Sequence, residues 1–199
     1  MSKSMGNFYT LRDLFGRGFT PESVRYLLAS VPYRKGLNFT FEGLNSAKTA
    51  IDRLRNFKLR LETAKLPEGQ NAEVQTAAEA AHAGFRAAMD DDLNTAEALG
   101  AVFEFLRAAN VALDGGTFLE GNRARALELM VLFDSVFEIL TPSETAGGIS
   151  GDEIEAQIAA RTAAKKARDF ARADQIRNEL LEKGVILEDT KDGVRWKRK

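Results

Sequence analysis

The 199-residue chain contains no cysteine and a single histidine. The missing cysteines exclude disulfides, cysteine–zinc sites and thiol catalysis together. The histidine count excludes a His-rich metal site, and no metal site is expected within the chain. His82 lies in AEAAHAGF, a helical stretch, and reads as a helix-surface residue. No apolar run approaches the ~18 residues that a membrane span needs. Nor is there a basic stretch followed by the roughly 7–15 apolar residues of a secretory signal. The expectation is a soluble chain of a reducing, cytoplasmic compartment with no membrane partner. The formal net charge is −1, so there is no uniform basic surplus, which leaves local patches open. The phosphate-cradling pattern GxxxxGK followed by Ser or Thr is absent, and there is no internal repeat.

Most of what is present is helical in pattern. TLRDLFGRG reads as a short helix stopped by glycine. In TPESVRYLLASV, Thr20 is placed to cap, Pro21 to occupy the first helical position and Glu22 the first turn. Leu44, Ala47, Ile51, Leu54 and Leu61 recur at three- to four-residue spacing, which predicts an amphipathic helix of roughly 20 residues. A second long helix is expected over about 71–89. The next begins at Asn94, which has Glu97 at capping-box distance, and GNRARALELMVLFDSVFEIL supplies another. Short links between long helices suggest an antiparallel bundle.

TPSETAGGISG, residues 141–151, has linker composition. Beyond it GDEIEAQIAARTAAKKAR and DFARADQIRNELLEKG predict a helical hairpin. Asp169 is the expected cap of the second helix, Phe170, Ala173, Ile176 and Leu180 its buried face, and Gly184 its stop. VILED and VRWKR alternate around TKDG and predict a β-hairpin. The fold class expected is therefore mainly α: an antiparallel helical bundle followed by a small α+β module.

Three stretches invite a chemical reading. DDDLN resembles the start of a calcium loop, but positions six and twelve from Asp90 hold Thr95 and Ala101 where glycine and glutamate are required. Acidic residues before a helix are favoured by its dipole in any case. Arg161, Lys165, Lys166, Arg168, Arg172 and Arg177 crowd the C-terminal hairpin against Asp169 and Asp174, and the chain ends RWKRK. A basic hairpin with an indole-bearing tail suits phosphates and stacked bases. MSKSMGN offers an ammonium, hydroxyls and backbone N–H groups to a polyphosphate.

MSKSMGNFYTLRDL resembles the KMSKS signature loop of class I aminoacyl-tRNA synthetases, without the first lysine of the signature. VRYLLASVPYRKGLNFTFEGL, AMDDDLNTAEALGAVFEFL and ARTAAKKARDFARADQIRNELLEKGVILEDTKDGVRWKRK look like the cysteinyl-tRNA synthetase family in particular. These matches run in order along the chain. The resemblance implies a signature loop and stem-contact segment over 1–40, a helical bundle of the DALR kind over 41–140, a linker over 141–150 and an anticodon-recognition module over 151–199. It implies ligation of cysteine to its tRNA with ATP and magnesium through a cysteinyl-adenylate. Lys3 matches the signature lysine that stabilises the triphosphate, with Ser2 and Ser4 beside it at the ATP. Lys165, Phe170, Asp174, Asp189 and Trp196 fall where similar enzymes contact the anticodon. Family members often carry arginine where Lys165 stands and tryptophan where Phe170 stands, and lysine lacks the bidentate fork.

The family's zinc site and histidine-rich adenylate motif belong to a catalytic domain that these residues do not contain, so zinc is expected only there. The expected reading is the C-terminal portion of a cysteine–tRNA ligase. It would bind tRNA but be inactive alone, with its catalytic domain supplied in cis or in trans. A standalone tRNA- or RNA-binding protein, or one subunit of a split enzyme, is the alternative.

Overall fold

The computed structural model describes residues 8–142, 151–190 and 193–198. Among these are eight helices and one two-stranded sheet, divided between two compact units, Met1–Thr141 and Pro142–Lys199.

The first unit begins with two short helices, α1 (Leu11–Gly16) and α2 (Pro21–Ala29). Each starts on a threonine that accepts from the N–H three residues on: Thr10 from Asp13 and Thr20 from Ser23. Both N3 side chains bond back to the cap N–H, closing reciprocal boxes. Pro21 loses no hydrogen bond at the first helical position, because that N–H has no partner within the helix. Their apolar faces, Leu14, Val24 and Leu27, meet Leu44 and Ala47 of α3 (Phe41–Thr63) in a small core of their own. Phe19 stacks on Phe41, Tyr9 meets the same ring edge-on, and the Arg17 guanidinium lies over both Tyr9 and Phe41.

The main core is made by the rest of α3 with α4 (Ala72–Asp90), α5 (Thr95–Asp114) and α6 (Glu120–Phe137). The stripe expected on α3 is buried throughout and continues through Phe57. Only Asp91–Asn94 separates α4 from α5, so the two must run antiparallel. Asn94 caps α5 by accepting from the Glu97 N–H, while the Glu97 carboxylate takes the Asn94 side-chain amide rather than its backbone N–H. Phe57 meets Phe105 edge-on, and Phe133 stacks on Phe137 at 4.7 Å between centroids. Several buried polar side chains of this unit bond to backbone groups of neighbouring elements. Asn122, almost fully buried, accepts from the Asn71 N–H and donates to the Asn71 carbonyl, both at 2.9 Å, which ties the start of α6 to the start of α4. Arg123 donates to the carbonyls of Leu61 and Ala64 at the end of α3, and Arg55 to those of Ile139 and Leu140. The last carbonyls of a helix, that of Leu61 among them, have no partner within it.

His82 is not the surface residue the sequence suggested. It is 6% exposed, one residue along from Ala81 on the face of α4 that packs toward α6, and its Nε2 lies 3.2 Å from the carbonyl of Arg125. A carbonyl only accepts, so Nε2 carries the proton. Burial lowers its pKa from the ordinary value.

The second unit is a helical hairpin, α7 (Gly151–Lys166) and α8 (Phe170–Glu182), covered by an antiparallel pair, β1 (Val185–Thr190) and β2 (Gly193–Arg198). Its core is Ile154, Ile158, Ile176, Leu180, Val185 and Leu187, with Val194 and Trp196 packed against it. Gly184 ends α8 with φ +78°, a conformation glycine adopts without penalty. Lys191 and Asp192 of the expected turn, and most of the linker, lie outside the described residues.

Candidate nucleic-acid interface

The hairpin of the second unit turns within Ala167–Asp169. The Asp169 N–H bonds to the Ala164 carbonyl and the Arg168 N–H to the Lys165 carbonyl, the Schellman pattern that closes a helix. Arg168 takes the left-handed position, φ +60°, that glycine usually fills. Asp169 then serves both helices, because its carboxylate accepts from the Arg172 N–H and caps α8.

This tight turn decides where Phe170 goes. At the first position of α8 it matches the spacing of Ala173, Ile176 and Leu180, and the sequence placed it with them. Those three are buried, but Phe170 is 63% exposed. Phe170 stands at the α7–α8 connection, past the buried stretch of α8, and its ring is left uncovered. The basic residues of the helical hairpin, Lys165, Lys166, Arg168, Arg172 and Arg177, are also exposed, as is Asp174. An uncovered aromatic ring within a basic tip is the arrangement on which single-stranded bases stack while phosphates are neutralised.

Arg161, the sixth member of the basic run, is elsewhere. Its side chain is 3% exposed and forms a two-bond fork to Asp189 on β1, Nη1 to Oδ1 and Nη2 to Oδ2, each at 2.9 Å. Lys165, one turn further along α7, adds a bond to Oδ2 at 3.1 Å. The Asp189 side chain is half exposed. The Arg161 fork, then the Lys165 ammonium, hold its carboxyl well below the usual carboxylate range, against the opposing effect of burial. Asp189 raises the Arg161 guanidinium in return. The interior position of Arg161 was present in the sequence: it lies seven residues from Ile154 and three from Ile158, on the helix face those residues mark. Reading it only by charge concealed this.

Trp196 pairs in register with Leu187 and lies partly buried against the core. Its indole N–H donates to Glu155 Oε1 at 2.6 Å, a partner the sequence did not suggest. The indole edge is thereby engaged within the unit. The fold thus brings Lys165 and Asp189 into direct contact and puts Phe170 and Asp174 on the exposed start of α8. Ser2, Lys3 and Ser4 lie outside the described residues. Among the described residues no group of three or more His, Cys, Asp or Glu side chains is placed to hold a metal ion, and no helix is long and apolar enough to cross a membrane.

Comparison with known proteins matches two parts of this chain to family models. Residues 84–141 match the DALR domain, and residues 151–196 match the cysteinyl-tRNA ligase anticodon binding domain. A cysteine–tRNA ligase of Solibacter usitatus is 60% identical over 199 residues, covering all of this chain and 43% of that protein. One from Koribacter versatilis is 45% identical over 227 residues, and one from Brachyspira hyodysenteriae is 37% identical over 204. They too are matched by the whole chain, over 46% and 43% of their own lengths. The chain spans less than half the length of these relatives. With both domain models matched and its full length aligned to these ligases, the chain belongs to the cysteinyl-tRNA synthetase family and corresponds to the C-terminal part of its members.

Proposed function

We propose that this chain is the tRNA-binding portion of a cysteine–tRNA ligase and that its second unit reads the anticodon of the cysteine tRNA. The observation that carries the reading is the hairpin tip, where Phe170 is 63% exposed among exposed basic side chains, beside a carboxylate held ionised at Asp189. In this reading the Phe170 ring stacks on an unpaired base, and the surrounding lysines and arginines take phosphates. Lys165 and the two aspartates, Asp174 and Asp189, meet base edges, where a carboxylate accepts from amino or imino groups and disfavours carbonyls. Trp196 offers a face rather than its N–H, which Glu155 already takes.

The chemical step belongs to a nucleotide-binding domain outside these 199 residues. Magnesium-bound ATP would meet Ser2, Lys3 and Ser4 there, Lys3 supplying positive charge to the triphosphate as pyrophosphate departs. Zinc would belong to that domain alone. The relatives' greater length supports such a division of labour. The purified chain is expected to bind a transcript of the cysteine tRNA in a filter assay while giving no cysteine-dependent exchange between ATP and pyrophosphate. Exchange above background would contradict the assignment of the chemistry elsewhere, and failure to bind the transcript would contradict the assignment of this chain.

A further inference from the structure

We propose that Arg161 is a positioning residue for anticodon reading: from inside the unit it fixes both oxygens of Asp189 and leaves a single acceptor facing the RNA. The inference rests on the reading of the second unit given above and adds a residue that never touches the nucleic acid.

The Arg161 side chain is 3% exposed and that of Asp189 is 50% exposed, so whatever Arg161 does for a ligand passes through Asp189. A carboxylate has about four lone-pair positions. The Arg161 fork takes one on Oδ1 and one on Oδ2, and Lys165 takes a second on Oδ2. The position left open is on Oδ1. A free aspartate could rotate and offer both oxygens to the adjacent imino and amino donors of a guanine edge. The forked one is held about its side-chain torsions and accepts one donor, which suits a lone exocyclic amino group.

A second observation points the same way. The Arg161 Nε is buried with no hydrogen-bond partner. A buried N–H left unsatisfied is costly. The guanidinium turns both terminal nitrogens to Asp189 and leaves the Nε N–H unmet, which is the geometry of a group aimed at one carboxylate rather than spread over the surrounding backbone. Lys165 cannot replace it. Its side chain is 41% exposed and its ammonium makes a single bond to Oδ2, which fills that oxygen without setting the plane of the carboxylate.

The test uses the full chain and four RNAs: the anticodon stem–loop of the cysteine tRNA and three versions with one anticodon base changed. Dissociation constants are measured for the wild type, Arg161→Met, Arg161→Lys, Asp189→Asn and the Arg161→Met/Asp189→Asn double variant. Fluorescence of Trp196, the chain's one tryptophan, reports whether each variant is folded. The expected result is loss of discrimination at one anticodon position, by about ten- to a hundredfold, the range for a hydrogen bond to a charged group. Discrimination at the other two positions stays within about twofold of wild type, the tolerance expected when independent sites do not couple. Arg161→Met added to Asp189→Asn has no further effect, and Arg161→Lys keeps part of the discrimination. Equal weakening on all four RNAs, or Arg161 and Asp189 effects that multiply, would overturn the proposal. If Arg161→Met fails to fold, Arg161→Lys decides alone: a partial loss confined to the position that Asp189→Asn affects supports it, and wild-type discrimination overturns it. A wild-type chain that binds all four stem–loops equally overturns the anticodon reading itself. Wild-type discrimination that Arg161→Met leaves intact overturns only the role of Arg161.

Discussion

Three side chains in this protein do not sit where their chemical type would put them: Arg161 and His82 are buried, and Phe170 is exposed. In each case the neighbours on the same helix face, or the end of a partner helix, outweigh the preference of the residue itself. His82 has a consequence for stability. Burial lowers its pKa in the folded protein, so below about pH 6.5, where a free histidine takes up a proton, the unfolded chain binds more protons than the folded one. Stability of the first unit is therefore full above that pH and falls as pH drops through it. His82→Gln, which retains a donor for the Arg125 carbonyl, is expected to flatten the difference between chemical-denaturation midpoints measured at pH 7 and pH 5.5. Parallel pH dependences for the two proteins would contradict it. Asp189 runs the other way in range: its carboxyl is held below the usual values, so its contribution is constant across neutral pH and is lost only in strong acid. Of the site residues, those named by local pattern were legible as residue types, but their partners were not. Nothing local to Asp189 or Trp196 announces Arg161 or Glu155, which lie 28 and 41 residues away in sequence.

At the scale of elements the sequence was far more readable, because helix ends and buried stripes are local properties. Thr20, Asn94 and Asp169 cap where the sequence placed them, and Gly184 ends α8 in the left-handed conformation. The α3 stripe needed only a period of three to four residues to be seen. What could not be read was how elements approach one another. Gly121, in the first turn of α6, illustrates this. Its N–H bonds to the Gly69 carbonyl at 2.8 Å, and a Cβ added there would sit 2.8 Å from that same oxygen. Gly69 itself has φ +115°, so the loop has little freedom to yield. Gly121→Ala is expected to destabilise the first unit by about 1–3 kcal/mol through this forced shift, even though alanine is the better helix former. Calorimetry of the variant checks this, and an unchanged or raised midpoint would show that the loop accommodates the methyl group.

As a whole molecule the chain is two compact units with separate cores, and the two are unequal. The larger is a bundle whose buried face runs through four long helices. The smaller packs around Ile154, Ile158, Ile176, Leu180, Val185 and Leu187; its helical hairpin presents Phe170 and the exposed basic side chains, and β1 presents the fixed carboxylate of Asp189. The central claim is that this smaller unit gives the chain its preference among tRNAs. The most direct measurement compares the dissociation constants of the purified chain for a cysteine tRNA transcript and for the same transcript with its three anticodon bases replaced, at one stated salt concentration. The account predicts at least tenfold tighter binding of the unaltered transcript, about 1.4 kcal/mol, with both complexes weakening alike as salt rises because the phosphate contacts are shared. Equal affinity for the two transcripts would contradict it.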